Sequence, residues 1–319
     1  MFRRSLRVRV SGPTRREFLV LSAGCALEAC SASLSSVNSG VTQWGSEGLR
    51  DGSFLRPRAI GVHDDRVYVV DTTGRVQIFD RDGVFLGMWK VPEFDNGTPT
   101  AVGFGLDGRV LIPDTHYSRI LEYSPEGELL EQWGSYGQSD GQFVYPTGIV
   151  QSPSGSYYIS EYGEDAEQVQ VYDSDRSYLR QWGSHGGDAG QFNRAMAIAM
   201  GPSEVLYVAD TTNHRVQCFD TEGELLRVIG EPGEALGELK FPHDIAVAPD
   251  GSLLVCEYGS HRISRFDPDG GFAAAYGAPG RSPGEFNSPR GVAVSEDGDV
   301  FVADTDNHRI QRFPLEMLA

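Results

Sequence analysis

His243, in the stretch FPHDIAV, directly follows a proline at the start of a run with β-strand character. A histidine at such a position can bind a metal, bind a ligand or fill a place in the fold. Zinc catalysis needs about three protein ligands and an open position at which water is activated. His243 therefore supports metal chemistry only if the fold brings further ligands to it.

A second group of chemically capable residues occurs in the stretches ADTTNHR and ADTDNHR. Asp210 precedes Arg215 and Asp304 precedes Arg309, each pair with an Asn-His step between them. This pattern recurs along the chain, whereas a catalytic site occurs once. An aspartate beside a short turn accepts hydrogen bonds from turn amides, and an arginine nearby offsets its charge. We therefore expect the set to be structural.

These motifs belong to a repeat that occurs six times. The acid that follows one strand of each copy is Asp71, Asp114, Glu161, Asp210, Glu257 and Asp304, at spacings of 43 to 49 residues. Alternating β-branched and aromatic residues, bounded by Gly, Asp and Pro, predict four short strands in each copy. Four strands at this period are typical of the blades of a β-propeller.

The two ends of the chain predict how the ring closes. The last copy stops at RIQRFPLEMLA without its fourth strand, and residues 41–54 (VTQWGSEGLRDGSF) match the fourth-strand regions at 130–143 and 179–192. The sequence therefore predicts an all-β, six-bladed β-propeller with four-stranded blades over residues 41–319. Its N-terminal strand, at about 41–54, completes the last blade and so removes an exposed sheet edge.

The first strand of each blade lines the central channel of a propeller, so the residue after its proline should lie at the channel mouth. The six equivalent residues are Arg58, Thr100, Thr147, Met196, His243 and Arg290. His243 is the only histidine, and the ring has no cysteine or carboxylate, so we predict no metal site and no cofactor. Because blade six adjoins blade one, Arg290 and Arg58 should be neighbours.

Two interpretations of this mouth remain open. Arginine forks hold carboxylates and phosphates, so Arg58, Thr100, Thr147, His243 and Arg290 would form a ligand-binding set. Alternatively, the arginines pair with nearby acids such as Asp244. No phosphate-binding glycine loop, GxSxG or HExxH motif offers another site.

The stretches VAD-x-x-NHRVQ and WGSxG…GQF, leading into PxGIxV, resemble NHL repeats over residues 41–313. This resemblance implies a six-bladed propeller that acts mostly as a binding platform for protein or nucleic acid. Related six-bladed propellers include a peptidyl-amidoglycolate lyase, lactonases and receptor sensor domains. The lyase holds zinc with three histidines in "PH" contexts, of which only His243 has a counterpart here.

The N-terminus has the pattern of an export signal, with a basic region, a short apolar run and small residues near cysteine. We predict a signal peptide at 1–30 and a linker at 31–40. Arg15 and Arg16 resemble a twin-arginine motif, and LEAC resembles a lipobox whose Cys30 is lipidated, with Cys25 as a rival. A cleaved signal with two incidental cysteines, or an uncleaved anchor, would also fit this stretch.

Charge restricts the partners of the remaining chain. The whole sequence carries −18, and its first thirty residues carry +4, so the rest carries −22. Such a body repels nucleic-acid phosphates and anionic lipid surfaces. We therefore predict no nucleic-acid partner and a membrane association only through a lipid anchor.

Two functions fit the sequence. The first is a non-catalytic, exported binding platform, periplasmic or at the cell surface, that recognises a protein, peptide or glycan. The second is a metal-dependent lyase or hydrolase centred on the channel, similar to the amidoglycolate lyase or a lactonase. Because no complete catalytic constellation is visible, the first is our prediction. The sequence leaves the oligomeric state open.

Overall fold

A computed structural model describes residues 40–163 and 166–319. The predicted signal peptide at 1–30, the lipidation of Cys30 and nearly all of the linker lie outside these residues. Within them, no helix is long and apolar enough to cross a bilayer. The regular structure of the described part is 24 strands and five short 3₁₀ helices, at Thr115–Tyr117, Pro202–Glu204, Thr211–Asn213, Thr305–Asn307 and Leu315–Leu318.

The strands form six antiparallel sheets of four strands each, as the repeat predicted. Blade 1 contains β2 (Pro57–His63), β3 (Arg66–Asp71), β4 (Arg75–Asp80) and β5 (Phe85–Lys90). Blade 2 contains β6 (Gly103–Phe104), β7 (Val110–Asp114), β8 (Arg119–Tyr123) and β9 (Leu129–Trp133). Blade 3 contains β10 (Tyr145–Gln151), β11 (Tyr157–Tyr162), β12 (Gln168–Tyr172) and β13 (Tyr178–Trp182).

The remaining blades follow the same order from the channel outward. Blade 4 contains β14 (Ala195–Met200), β15 (Leu206–Asp210), β16 (Arg215–Phe219) and β17 (Leu225–Ile229). Blade 5 contains β18 (Pro242–Val247), β19 (Leu253–Glu257), β20 (Arg262–Phe266) and β21 (Phe272–Tyr276). Blade 6 contains β22 (Gly291–Val294), β23 (Asp299–Asp304), β24 (Arg309–Pro314) and, from the other end of the chain, β1 (Thr42–Trp44).

The ring closes as predicted, because β1 pairs with β24 in an antiparallel register that sets Gln43 opposite Gln311. The side chain of Arg309 strengthens this closure by donating a hydrogen bond to Gln43 Oε1 at 2.6 Å. A sheet edge that would otherwise be open at the end of the chain is thereby paired.

Apolar side chains pack between blades, in six clusters that each join two neighbouring sheets. In three of the six blades, the outer strand contributes a tryptophan that lies on the turn glycine of the next blade. Trp44 lies against Gly83, where a Cβ atom would be only 2.6 Å from its ring, and Trp89 lies against Gly127 in the same way. Both glycines have positive φ angles, of +84° and +95°, which favour a residue without a Cβ. This packing explains why an outer-strand tryptophan and a turn glycine occur together in these blades.

The acid–arginine sets are structural, as expected. The Asp304 carboxylate is fully buried and accepts hydrogen bonds from Arg309 Nε at 2.7 Å and from the Asn287 amide at 2.7 Å. Blade three keeps this arrangement with other residues, because Gln168 Nε2 donates to Glu161 at 2.8 Å.

The intervening histidines connect one blade to the next. His308 Nδ1 accepts the amide N–H of Arg56 at 3.1 Å, and His214 Nδ1 accepts that of Phe241 at 3.0 Å. An acceptor at Nδ1 requires that nitrogen to be unprotonated. These contacts join consecutive blades through neutral imidazole rings.

Both cysteines of the propeller, Cys218 and Cys256, are fully buried free thiols. Burial raises the pKa of Cys218 to about 11 and that of Cys256 well above its usual value. They serve as small apolar groups and not as nucleophiles.

Candidate ligand site at the channel mouth

Four of the six predicted mouth residues are the extra residue of a β-bulge. The register of β2 shifts at Arg58 and that of β18 shifts at His243. The same shift occurs at Thr147 in β10 and at Met196 in β14. A bulge leaves one residue outside the ladder and re-aims its side chain. In these four blades, the first strand therefore has, near its start, a residue that no cross-strand partner holds.

The two predicted threonines point into the protein. Thr100 Oγ1 lies 3.1 Å from Thr115 Oγ1 and donates to the Thr147 carbonyl at 3.2 Å. Thr147 is completely buried, and its hydroxyl lies 3.0 Å from Ser160 Oγ and also donates to the Ala195 carbonyl. These hydroxyls join the inner strands of neighbouring blades and do not form part of the cationic cluster.

The predicted cations do converge, and a further arginine joins them. The Arg290 guanidinium lies over the Tyr258 ring, 5.0 Å from its centre, and the His243 ring lies 6.3 Å from the same tyrosine. On the blade beyond His243, the Arg194 guanidinium lies 5.0 Å from the centre of the Tyr162 ring. A guanidinium over an aromatic face is attracted by the ring quadrupole.

We call Arg58, Arg194, His243, Tyr258 and Arg290 the arginine mouth. Its three arginines and one histidine come from blades 4, 5, 6 and 1, which are consecutive around the ring. Their charges affect one another: Arg290, Arg58 and Arg194 all lower the pKa of His243. Burial and the charge of Arg290 also lower the pKa of Arg58 to about 10.

The guanidinium groups of the arginine mouth lack acidic partners among residues 40–163 and 166–319. Most other arginines there pair with a carboxylate, as Arg309 does with Asp304. Within the described residues, Arg58 instead donates only to Thr98 Oγ1, at 3.0 Å, and its buried Nε–H has no acceptor there. Arg290 Nε is unsatisfied in the same way, and within the described chain neither Arg290 nor Arg194 donates a side-chain hydrogen bond to a protein acceptor.

His243 is a neutral imidazole whose tautomer follows from one contact. Its Nδ1 lies 3.0 Å from the carbonyl oxygen of Arg290, which can only accept, so Nδ1 carries the proton. Burial in the channel and the charges of Arg290 and Arg58 lower the pKa of His243 to about 3. The ring therefore stays neutral near pH 7, and its Nε2 is an acceptor to which no group of the described chain donates.

Asp244 does not pair with the arginines, although the sequence left that possibility open. Its carboxylate accepts the backbone N–H of Ile245 at 2.9 Å and that of Val292 at 2.9 Å, so it joins blade 5 to blade 6. Enclosure by the inner strands raises the pKa of Asp244 to about 7. The structure therefore does not support the interpretation in which Asp244 neutralises the arginines.

A cavity of about 270 Å³ opens at the arginine mouth. Arg194, Arg290 and His243 form its polar side, whereas Met196, Phe241 and the Tyr258 ring form an apolar wall. The part of the chain that the structure describes contains no group of three or more His, Cys, Asp and Glu side chains suited to a metal ion. The cavity thus combines positive charge, one neutral acceptor and an apolar surface.

Sequence analysis missed Arg194, Tyr162 and Tyr258. The residue after the strand acid is threonine in four blades, but it is tyrosine in blades 3 and 5, where the acid itself is glutamate. Blade 4 also departs from the repeat, because Ala195 replaces the usual proline directly after Arg194. These departures from the repeat are visible in the sequence and could have identified all three residues as candidates for the site.

Comparisons with known proteins agree with this architecture. The NHL repeat model matches residues 192–219, 239–266 and 286–313. No curated protein sequence matches the chain significantly.

Solved structures share the fold at low sequence identity. Virginiamycin B lyase from Staphylococcus aureus has a TM-score of 0.60 and 14% identity over 85% of this chain and 98% of its own. A protein of unknown function from Bacteroides thetaiotaomicron has a TM-score of 0.64 and 16% identity, covering 86% of this chain and 76% of its own. An auxiliary nutrient binding protein from the same organism has a TM-score of 0.60 and 16% identity, covering 81% and 69%.

The matched repeats coincide with the strands of blades 4, 5 and 6, and the same motifs continue through the other blades. The chain is therefore a six-bladed β-propeller in which blades 4, 5 and 6 each contain a recognised NHL repeat.

Proposed function

We propose that this protein is a non-catalytic binding platform whose arginine mouth binds an acidic group of a protein, peptide or glycan. The observation that carries the proposal is that Arg58, Arg194 and Arg290 lie together without a carboxylate partner among the described residues. Like charges held together repel, and a buried N–H without an acceptor costs about 1–3 kcal/mol. A bound anion offsets both costs.

The charge of the whole molecule limits which anions fit. A formal charge of −18 repels extended polyanions, so a local cluster of arginines favours a single acidic group that enters the mouth. This supports the prediction that nucleic acid is not the partner. The name of one structural neighbour, an auxiliary nutrient binding protein, is compatible with a binding role for this fold.

Methionine NMR tests the proposal directly, because Met196 lines the cavity and the chain has only five methionines. We expect the ¹³C-methyl signal of Met196, assigned with Met196→Leu, to shift when citrate or glucuronate is added. Arg290→Gln should abolish the shift because it removes one guanidinium. Arg50→Gln, at an exposed arginine outside the mouth, is the matched control and should preserve it. Absence of a shift with acetate, citrate, glucuronate, phosphate or acidic peptides would refute anion binding.

We also propose that the protein is exported and held by a lipid on Cys30. The support is the N-terminal sequence alone, with Arg15 and Arg16 as the export motif. Arg15→Lys combined with Arg16→Lys should retain the full chain in the cytoplasm. We expect the protein to incorporate labelled palmitate, and we expect Cys30→Ser, but not Cys25→Ser, to abolish that incorporation. The reverse result would indicate that Cys25 is the lipidated residue.

A channel-centred lyase or hydrolase is the second candidate. One observation favours it: His243 lines the cavity with a free Nε2, as a metal ligand would. The charges of Arg58, Arg194 and Arg290 oppose a cation there, which is why it ranks second. Stoichiometric zinc or calcium in the purified protein, lost in His243→Ala, would favour the enzyme; metal-free protein with Arg290-dependent anion binding would exclude it.

A further inference from the structure

We propose that the ligand of the arginine mouth is the carboxyl terminus of a peptide chain whose last residue is apolar. This inference rests on the proposed function and specifies its ligand. It follows from three features of the mouth that a chain terminus satisfies together: the arginines, the free acceptor on His243 and the apolar wall.

The first feature is the pair of guanidinium groups on the polar side of the cavity. The guanidinium groups of Arg290 and Arg194 each lie over a tyrosine ring, 5.0 Å from its centre, and donate no side-chain hydrogen bond to an acceptor among the described residues, so their N–H groups are available to a ligand. A planar guanidinium matches the two oxygens of a carboxylate, and such charge-assisted bonds are about twice as strong as neutral ones. The tyrosines restrict the rotamers of both arginines before any ligand arrives.

The second feature is the acceptor beside those donors. His243 donates from Nδ1 to the Arg290 carbonyl, so its Nε2 can accept a hydrogen bond from the ligand. In a peptide terminus the last amide N–H and the carboxylate are attached to the same Cα atom. One ligand can therefore bind arginine and donate to His243 at once. A glutamate side chain separates its acid from its amide by further carbons, and acetate has no N–H at all.

The third feature is the apolar wall, which distinguishes a peptide from an acidic sugar. Met196 is only 5% exposed, and the exposed ring of Phe241 extends the wall outward. The hydroxyl of Thr211, on the same side, already donates to the Pro242 carbonyl at 2.6 Å. Sugar hydroxyls buried against this wall would find few partners, whereas an apolar side chain gains from leaving water.

The size of the cavity agrees with one terminal residue. Its volume of about 270 Å³ lies just below the range of about 300–1,000 Å³ that is usual for small-molecule pockets. This is the scale of a single side chain with its carboxylate, and it is small for a ligand-binding pocket. The rest of the peptide would leave along the propeller face.

Fluorescence anisotropy with matched peptides tests this inference on the intact protein. The probe is a dye-labelled Gly-Ser-Gly-Ala-Leu with a free carboxylate, compared with its C-terminal amide, its serine-ended version and a version whose last amide is N-methylated. We expect the amide to bind at least tenfold more weakly and the N-methylated and serine-ended peptides several-fold more weakly. N-methylation removes the donor to His243 without altering the protein, so a folding defect cannot cause the result.

Protein variants complete the test. Arg290→Gln should weaken the free acid but not the amide, so that the two peptides become similar, while Arg50→Gln keeps the difference. Equal binding of acid and amide by the wild-type protein would overturn the inference. Arg290-dependent binding of glucuronate without binding of any peptide would also overturn it, yet would leave the proposed function standing. If no peptide, sugar acid or small acid binds, both fail.

Discussion

The adjacent residues His243 and Asp244 of β18 have pKa values that burial shifts in opposite directions. Their contributions to the pH dependence of stability therefore have opposite signs. Asp244 has a pKa of about 7 in the folded chain and an ordinary value of 3.8. The folded state therefore holds a proton that the unfolded state has lost, and stability falls as pH rises from about 4 to 7. His243 has a folded pKa of about 3 against an ordinary 6.5, so stability falls as pH decreases from 6.5 to 3.

The magnitudes follow from the pKa differences. Each pH unit inside a window changes the free energy of unfolding by about 1.4 kcal/mol per proton. Over their full windows, Asp244 contributes about 4 kcal/mol and His243 about 5 kcal/mol, with opposite signs. Between pH 4 and 6.5 the two contributions nearly cancel in the wild-type protein.

Replacing one residue of the pair removes that cancellation. In Asp244→Asn, only His243 titrates, so stability relative to wild type should fall by about 2 kcal/mol between pH 6.5 and 5. In His243→Gln, only Asp244 titrates, so relative stability should rise by about the same amount over that interval. Glutamine can still donate to the Arg290 carbonyl, which keeps the local contact.

Urea unfolding followed by tryptophan fluorescence at pH 5, 5.75 and 6.5 measures these slopes. Asp51→Asn, at an exposed aspartate, serves as the control and should parallel the wild type. If both channel variants also parallel the wild type, neither group has a perturbed pKa, and the electrostatic description of the mouth is wrong.

Three further predictions concern the frame that holds the site. Gly83→Ala should lower the free energy of unfolding by about 1–3 kcal/mol more than Gly52→Ala, in chemical denaturation of both; each glycine has a positive φ, but only Gly83 would clash with a neighbouring ring. His308→Phe should cost about 0.5–1.5 kcal/mol, because the exposed backbone N–H of Arg56 in blade 1 loses its hydrogen bond to the imidazole, and faster amide hydrogen exchange at the blade 6–blade 1 junction should accompany that loss. Arg309→Met should cost about 3–5 kcal/mol at pH 7 by leaving the buried Asp304 carboxylate without its charge partner; a loss below 1 kcal/mol would show that the pair contributes little.

Much of the candidate site follows from the repeat. Equivalent positions of six similar units must lie on one circle, so aligning the copies placed Arg58, His243 and Arg290 at one end of the channel. The same reasoning grouped Thr100 and Thr147 with them, although their hydroxyls bond between blades. Equivalent backbone positions do not guarantee equivalent side-chain directions, because bulges and neighbouring turns decide where each side chain points.

The partners of each charged group could not be predicted. The sequence offers many acids that could pair with the arginines, but a hydrogen bond requires donor and acceptor within about 3 Å, which depends on atoms from different blades. Arg194 belongs to blade 4, and its aromatic partner Tyr162 belongs to blade 3. The pKa values of His243 and Asp244 likewise arise from enclosure by six inner strands, which no local stretch contains.

The sequence by itself determined the number of blades, their strands and the closure by β1, because each blade is built from local turns and a local pattern of apolar residues that recurs six times. Only the tertiary structure decided which side chains face the channel, which of them lack partners and how their charges interact. The physical reason is that strand formation depends on neighbours along the chain, whereas the arginine mouth depends on distances across the ring between residues of four blades.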